Sequence, residues 1–147
     1  KIGAIGFSLG GASILLGNKP AKLDAVILEA VYPSIDQAVI NRIEQRLGTF
    51  AANILAPILY YQIPLRQGIS LDNLKPINAI SSLNAPVLII GGSEDQHTKI
   101  PETKNLFAAA NKPKSLWIIN QAAHVDFHSF AKVDYEQKVS DFFSRYL

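Results

Sequence analysis

Residues 6–10 read Gly-Phe-Ser-Leu-Gly, after a short apolar run and before a helical pattern. A serine between two glycines at a strand-to-helix turn is the arrangement that lifts a hydroxyl above the edge of a sheet. Gly6 and Gly10 are expected to permit the convergence of strand and helix, where side chains would clash, while Ser8 holds a strained backbone. The following helix would aim its positive end at a developing oxyanion, and the Leu9 backbone N–H would donate to it. A plain strand–helix turn, whose glycines serve packing alone, is the competing reading.

A nucleophilic serine needs a base, and the base needs a group to orient it. The chain has 3 histidines. His124, in NQAAHVDF, follows an apolar run and sits in a small-residue loop from which an imidazole could reach above the sheet. His97 lies in a polar loop and is expected to be solvated, and His128 lies within a helical pattern as a core or surface residue. His124 and His128 are spaced like a helical metal pair, but HVDFH lacks the glutamate of H-E-x-x-H and no third ligand is evident, so no metal is expected. Asp95, in PVLIIGGSEDQHT, is a candidate acid just past another apolar run, with Glu94 beside it. Its alternative role is a turn residue or a helix cap. The order Ser8, Asp95, His124, each at the carboxyl end of a different strand, is where chemistry sits in open parallel sheets.

The elements that must position these residues follow from periodicity. Residues 1–7, 23–29, 86–90 and 115–120 are aliphatic or β-branched runs bounded by Gly, Pro or Asn, and are predicted to be buried strands. Helices are predicted over 10–17, ending at a Gly17 cap, over 102–110, with Pro101 at its start, and from Val125 to the end. In the last, Phe127, Phe130, Tyr135, Val139, Phe142, Phe143 and Tyr146 recur at intervals of three and four. Near-continuous apolar strands alternating with helices imply an α/β fold with a mostly parallel sheet covered on both faces. Residues 31–83 interrupt that alternation. Ser34 to Gln37 has the form of a capping box, and Ile35, Ala38, Val39, Ile43 and Leu47 make a stripe ended by Gly48. A second helix is expected over 51–61 with a kink at Pro57, and a third after Asp72, interrupted by Pro76. This segment has the character of a helical cap over the sheet.

Composition excludes several classes. With 147 residues, 48% hydrophobic and 18% charged, the chain is expected to form one globular domain. Its 14 basic and 12 acidic residues leave a formal charge of +2, which argues against nucleic acid or an anionic membrane as partner. A small-molecule partner is expected. The absence of cysteine excludes a disulfide framework and fits a cytoplasmic location. The longest apolar stretch, residues 50–65, is shorter than the ~20 residues of a membrane span and contains Asn53, Pro57 and Gln62. Gly3, Gly6, Gly10 and Gly11 do not have the G-x-G-x-x-G spacing of a nucleotide-binding turn, and no P-loop lysine follows.

At GFSLGG, PVLIIGGSED and AAHVDF, in that order, the chain resembles the α/β-hydrolase superfamily, in its serine aminopeptidase-like and dienelactone hydrolase-like esterase branches. The resemblance covers the whole chain but only the later part of that fold. It implies Ser8 as nucleophile, His124 as general base and acid, Asp95 as the group that orients His124, and the Leu9 N–H as one oxyanion donor. Some members place the acid after the preceding strand, where Glu29 stands here; Asp95 lies in the loop of the commoner pattern. The resemblance implies hydrolysis of an ester, thioester or amide without a cofactor. It also places a cap at about residues 32–83, where Phe50, Tyr60 and Tyr61, together with Phe7, are candidate substrate contacts or packing residues. The earlier strands, and the loop carrying a second oxyanion N–H, are expected upstream, in roughly a hundred further residues of a 200–250-residue α/β domain. A non-catalytic ligand-binding protein on the same fold is the alternative.

Overall fold

The computed structural model describes residues 1–17 and 22–147. Its centre is a parallel sheet of β1 (Gly3–Phe7), β2 (Ala25–Glu29), β3 (Val87–Gly92) and β4 (Lys114–Ile119), ordered as in the sequence. Register is set by pairs such as Ile5 with Ile27, Leu28 with Ile89, and Ile89 with Leu116. β2 and β3 are buried at every residue, as expected of strands with both faces covered. Their side chains alternate between two cores. Val26, Leu28, Val87 and Ile89 pack with Ala12 of α1 (Leu9–Leu16) and Leu106 of α5 (Ile100–Ala109). Ala25, Ile27, Leu88 and Ile90 pack with Phe127 of α6 (Phe127–Phe130) and Phe142 of α7 (Lys132–Tyr146). Each large aliphatic side chain buried this way contributes about 1.5–3 kcal/mol.

Two sequence expectations change here. The first strand is not buried: among the described residues β1 pairs only with β2, so it forms a sheet edge and leaves Ile5 and Phe7 exposed. The last helix is two. Asp126 opens α6 by accepting from the His128 and Ser129 N–H groups, and Ala131 (φ −129°, ψ 48°) breaks the path before α7. Gly17 caps the end of α1, as expected, and does so in extended geometry (φ −61°, ψ 135°).

The segment between β2 and β3 is helical, with its punctuation moved. α2 (Ile35–Tyr60) starts at Ser34, whose Oγ accepts from the Gln37 N–H at 3.4 Å. The other arm of the expected capping box is missing, because the Gln37 side chain donates to Asn41 Oδ1 instead. Helical geometry resumes past Gly48, where the bend falls (φ 81°, ψ 169°), and Pro57 is carried inside the helix. α3 (Gln62–Gln67) follows and ends at left-handed Gly68 (φ 65°). Pro76 begins α4 (Pro76–Ala79) rather than interrupting a helix, as fits its fixed φ and missing N–H.

Candidate active site

The carboxyl edge of the sheet collects the backbone strain. Among the described residues, the non-glycine residues with positive φ are Ser8 (49°), Ala30 (48°) and Gln121 (60°), which follow β1, β2 and β4. Such geometry costs of order 1–3 kcal/mol per residue and persists only where its surroundings enforce it. At Ser8 they do: its N–H donates to Glu29 O at 2.7 Å, and its own carbonyl receives the Ala12 N–H at 3.1 Å. Ser8 caps α1 without a side-chain bond to the helix, so Oγ is not committed there. The first N–H groups of α1, Leu9 included, have no acceptor within the helix and point outward at its positive end.

The glycines that permit this turn are Gly6 and Gly11, not the expected pair Gly6 and Gly10. A Cβ on Gly6 would lie 2.5 Å from Gly11 Cα, and one on Gly11 would run into Val31 and 2.7 Å from Gly6 O. A Cβ on Gly10 would meet nothing within 4 Å. The crossing of strand and helix is thus made by residues 6 and 11, while residue 10 faces outward.

Beyond β3 the chain turns so that Asp95 is buried, with its side chain fully covered. Asp95 Oδ1 accepts from the His97 N–H (2.7 Å) and the Thr98 N–H (2.9 Å). Its Oδ2 accepts from His124 Nδ1–H at 2.7 Å. A carboxylate only accepts, so this bond places the His124 proton on Nδ1 and leaves Nε2 with a lone pair. The His124 ring lies against Phe7, the residue before Ser8, at 4.9 Å between centroids, and Phe7 in turn meets Phe127 edge-on at 6.0 Å. Asp95 is the side-chain partner of His124 among the described residues, and no hydrogen bond joins Ser8 Oγ to the ring. Catalytic hydrogen bonds are often long in unliganded proteins and tighten on binding.

Glu29, the other acid considered, points elsewhere. Its Oε1 accepts from Tyr135 O–H at 2.7 Å. Burial pushes the Glu29 carboxyl above its ordinary range despite that bond, and the same burial and pairing push the Tyr135 hydroxyl up. His128 is exposed and donates to Glu136 Oε1 at 3.0 Å. No group of three or more His, Cys, Asp or Glu placed to hold a metal ion occurs among the described residues. Glu94 is exposed beside Asp95.

His97 departs from its expected place in solvent. Its ring is partly buried and stacks against that of His124 at 4.8 Å between centroids. Sequence reasoning missed it because a polar loop reads as surface; the signal available was its position two residues past Asp95. Phe50 is 80% exposed, and Tyr60 and Tyr61 stack on each other at 4.8 Å; no aromatic contact or hydrogen bond ties these three to Ser8, Asp95 or His124. A hollow of about 350 Å³ beside α1, lined by Leu9, Ala12, Leu16, Tyr32, Ile35 and Leu74, is the apolar space adjacent to the Ser8 turn. A larger one, about 440 Å³, lies between β4 and α7 and has none of these polar groups on its wall.

No family model matches the chain, and no curated protein matches it in sequence. Solved structures do resemble it. The esterase domain of a Rhodothermus marinus protein is 20% identical, with a TM-score of 0.67 over 98% of this chain and 60% of that one. An esterase of Pyrococcus furiosus is 19% identical, with a TM-score of 0.69 over 99% of this chain and 54% of that one. The acylaminoacyl peptidase of Pyrococcus horikoshii is 19% identical, with a TM-score of 0.65 over the whole of this chain and 24% of that one. The chain therefore spans 60% or less of the length of each of these proteins, and what it shares with them is architecture.

Proposed function

We propose that this chain, which has the α/β-hydrolase fold, carries the triad of a serine hydrolase that cleaves a carboxylic ester, thioester or amide through an acyl-enzyme. The observation that carries this reading is the 2.7 Å bond from His124 Nδ1–H to a fully covered Asp95, at the sheet edge that holds strained Ser8. Ser8 Oγ attacks the acyl carbonyl as its proton passes to His124 Nε2. The tetrahedral oxyanion is met by the Leu9 N–H at the start of α1. His124 then protonates the leaving alkoxide, thiolate or amine, and the C–O, C–S or C–N bond breaks. Water, deprotonated by His124, repeats the sequence on the Ser8 ester and releases the acid. Asp95 holds the ring in the tautomer that accepts at Nε2 and stabilises the imidazolium. No step calls for a cofactor.

In this reading the Leu9 N–H supplies one oxyanion donor. Such a donor is worth about 10² to 10³ in rate. The helical segment at about 32–83 acts as a cap over the site. Its aliphatic and tyrosine side chains, with Phe7 at the base, favour an apolar acyl or aromatic substrate group, and a flat rate across short and long acyl esters would refute that preference.

The test is a fluorophosphonate probe on the full-length protein, with peptide mapping. An adduct confined to Ser8 and abolished in Ser8→Ala is the expected result. No adduct in folded protein would favour a non-catalytic ligand-binding role, the reading that the missing Ser8–His124 hydrogen bond supports. Ligand binding would then be unchanged in Ser8→Ala.

A further inference from the structure

The proposed chemistry gives no task to His97, yet the fold holds this residue from several sides. Its N–H donates to Asp95 Oδ1, its carbonyl accepts from Asn41 Nδ2–H at 3.1 Å, and its ring Nε2–H donates to Gln45 Oε1 at 2.6 Å. Asn41 is itself buried and donates to Glu102 Oε1 of α5 at 2.7 Å. Lys99 adds an ion pair to Glu44 at 2.6 Å. Asn41, Glu44 and Gln45 all belong to the first half of α2, so that half is stitched to the loop that carries Asp95. The ring so held packs against His124 in a tilted contact (4.8 Å, 47°), and Phe7 packs against His124 as well, at 4.9 Å and 49°.

We propose that His97 is a positioning residue: its ring braces the His124 imidazole, and Gln45 and Asn41 fix the brace, so that the seat of α2 sets the attitude of the base. The proposal rests on the reading of His124 as the base. His97 is suited to this because it stays neutral. With Nε2–H committed to Gln45, Nδ1 is buried without a hydrogen-bond partner among the described residues, and a proton there would be an unsatisfied charge. The charged and titratable groups that face it are His124 from the loop after β4, Arg42 and Arg46 from α2, and Asp95 from its own loop, while Glu44 is paired with Lys99 and Glu102 with Asn41. Burial first, then His124 and the guanidinium groups, hold His97 below the ordinary imidazole range against the opposing pull of Asp95. A neutral brace neither competes for the Ser8 proton nor repels the imidazolium that accepts it.

The test uses the full-length protein, following the His124 ring resonance by NMR as pH is varied and measuring the rate of Ser8 acylation by a fluorophosphonate. In His97→Ala, water replaces the bracing ring and solvates the imidazolium, so the His124 titration midpoint moves up by about half a pH unit and acylation slows about tenfold. His97→Phe restores a ring without a titratable nitrogen and returns the midpoint to the wild-type value. Gln45→Ala, an exposed change on α2 that leaves folding intact, slows acylation about threefold by freeing the brace. Wild-type midpoints and rates in both His97→Ala and Gln45→Ala would overturn the proposal. A wild-type protein that never labels at Ser8 would instead overturn the hydrolase reading, and the NMR midpoints would still decide whether His97 braces His124.

Discussion

Single side chains at the carboxyl edge divide into those bonded toward His124 and those bonded away from it. Asp95 accepts two backbone N–H groups and an imidazole N–H, so both oxygens are occupied and its orientation is fixed. Glu29, one strand away, is buried against Tyr135 and is a structural carboxyl. Its folded-state pKa lies above the ordinary 4.5, chiefly through burial. A carboxyl raised in this way binds its proton more tightly in the folded state than in the unfolded one. The stability it contributes is complete below the unfolded value and is lost as pH rises through the folded value. Glu29→Gln keeps the shape and cannot ionise. Thermal unfolding between about pH 4 and about pH 8 should therefore show the stability of the wild type falling relative to the variant as pH increases.

Among the elements, the crossing of β1 and α1 is the tightest. Gly6 and Gly11 bring the two backbones together at residues where any side chain would meet main-chain atoms or Val31. Gly6→Ala should destabilise the fold by about 1–3 kcal/mol, because backbone must move to admit a methyl group. Gly10→Ala, one turn position away in open space, should be neutral or stabilising by up to about 1 kcal/mol, because it replaces a helical glycine. Thermal denaturation of the two variants checks the pair, and a large loss in both would refute the assignment. α2 shows a different division. Its first half is tied to the Asp95 loop, whereas past Gly48 it presents Phe50, Ile54 and Ile58 to solvent, followed by Leu65 of α3 at 85% exposure.

For the whole molecule, stability is graded from the middle of the sheet outward. β2 and β3 are covered on both faces and paired on both sides, while β1 is paired on one side among the described residues. Native-state hydrogen exchange should accordingly find the slowest amides in Val26–Leu28 and Leu88–Ile90, with β1 and the second half of α2 exchanging faster by orders of magnitude. Equal protection of β1 and β3 would contradict this. No helix among the described residues is long and apolar enough to cross a membrane.

The sequence by itself determined the parallel α/β architecture, because strands buried on both faces must be continuously apolar, and runs such as AVILE and PVLII are short, rich in β-branched residues and alternate with helical patterns. It also determined Ser8, Asp95 and His124 as candidates, since each follows an apolar run and the carboxyl ends of parallel strands converge. The bend at Gly48 was legible as a stop between two helices, and the helical path does resume past it, with Ala52 and Ala56 buried; that Pro57 would be carried inside the second piece with helical geometry was not legible. Three matters were decided only by tertiary structure. Which glycines make the crossing depends on where the α1 backbone passes β1, and this picked Gly11 over Gly10. Which acid meets His124 depends on side-chain direction at two neighbouring strand ends, and Glu29 is taken up by Tyr135. His97 sits at His124 because Gln45, 52 residues earlier, holds its ring, a long-range contact that local pattern does not encode.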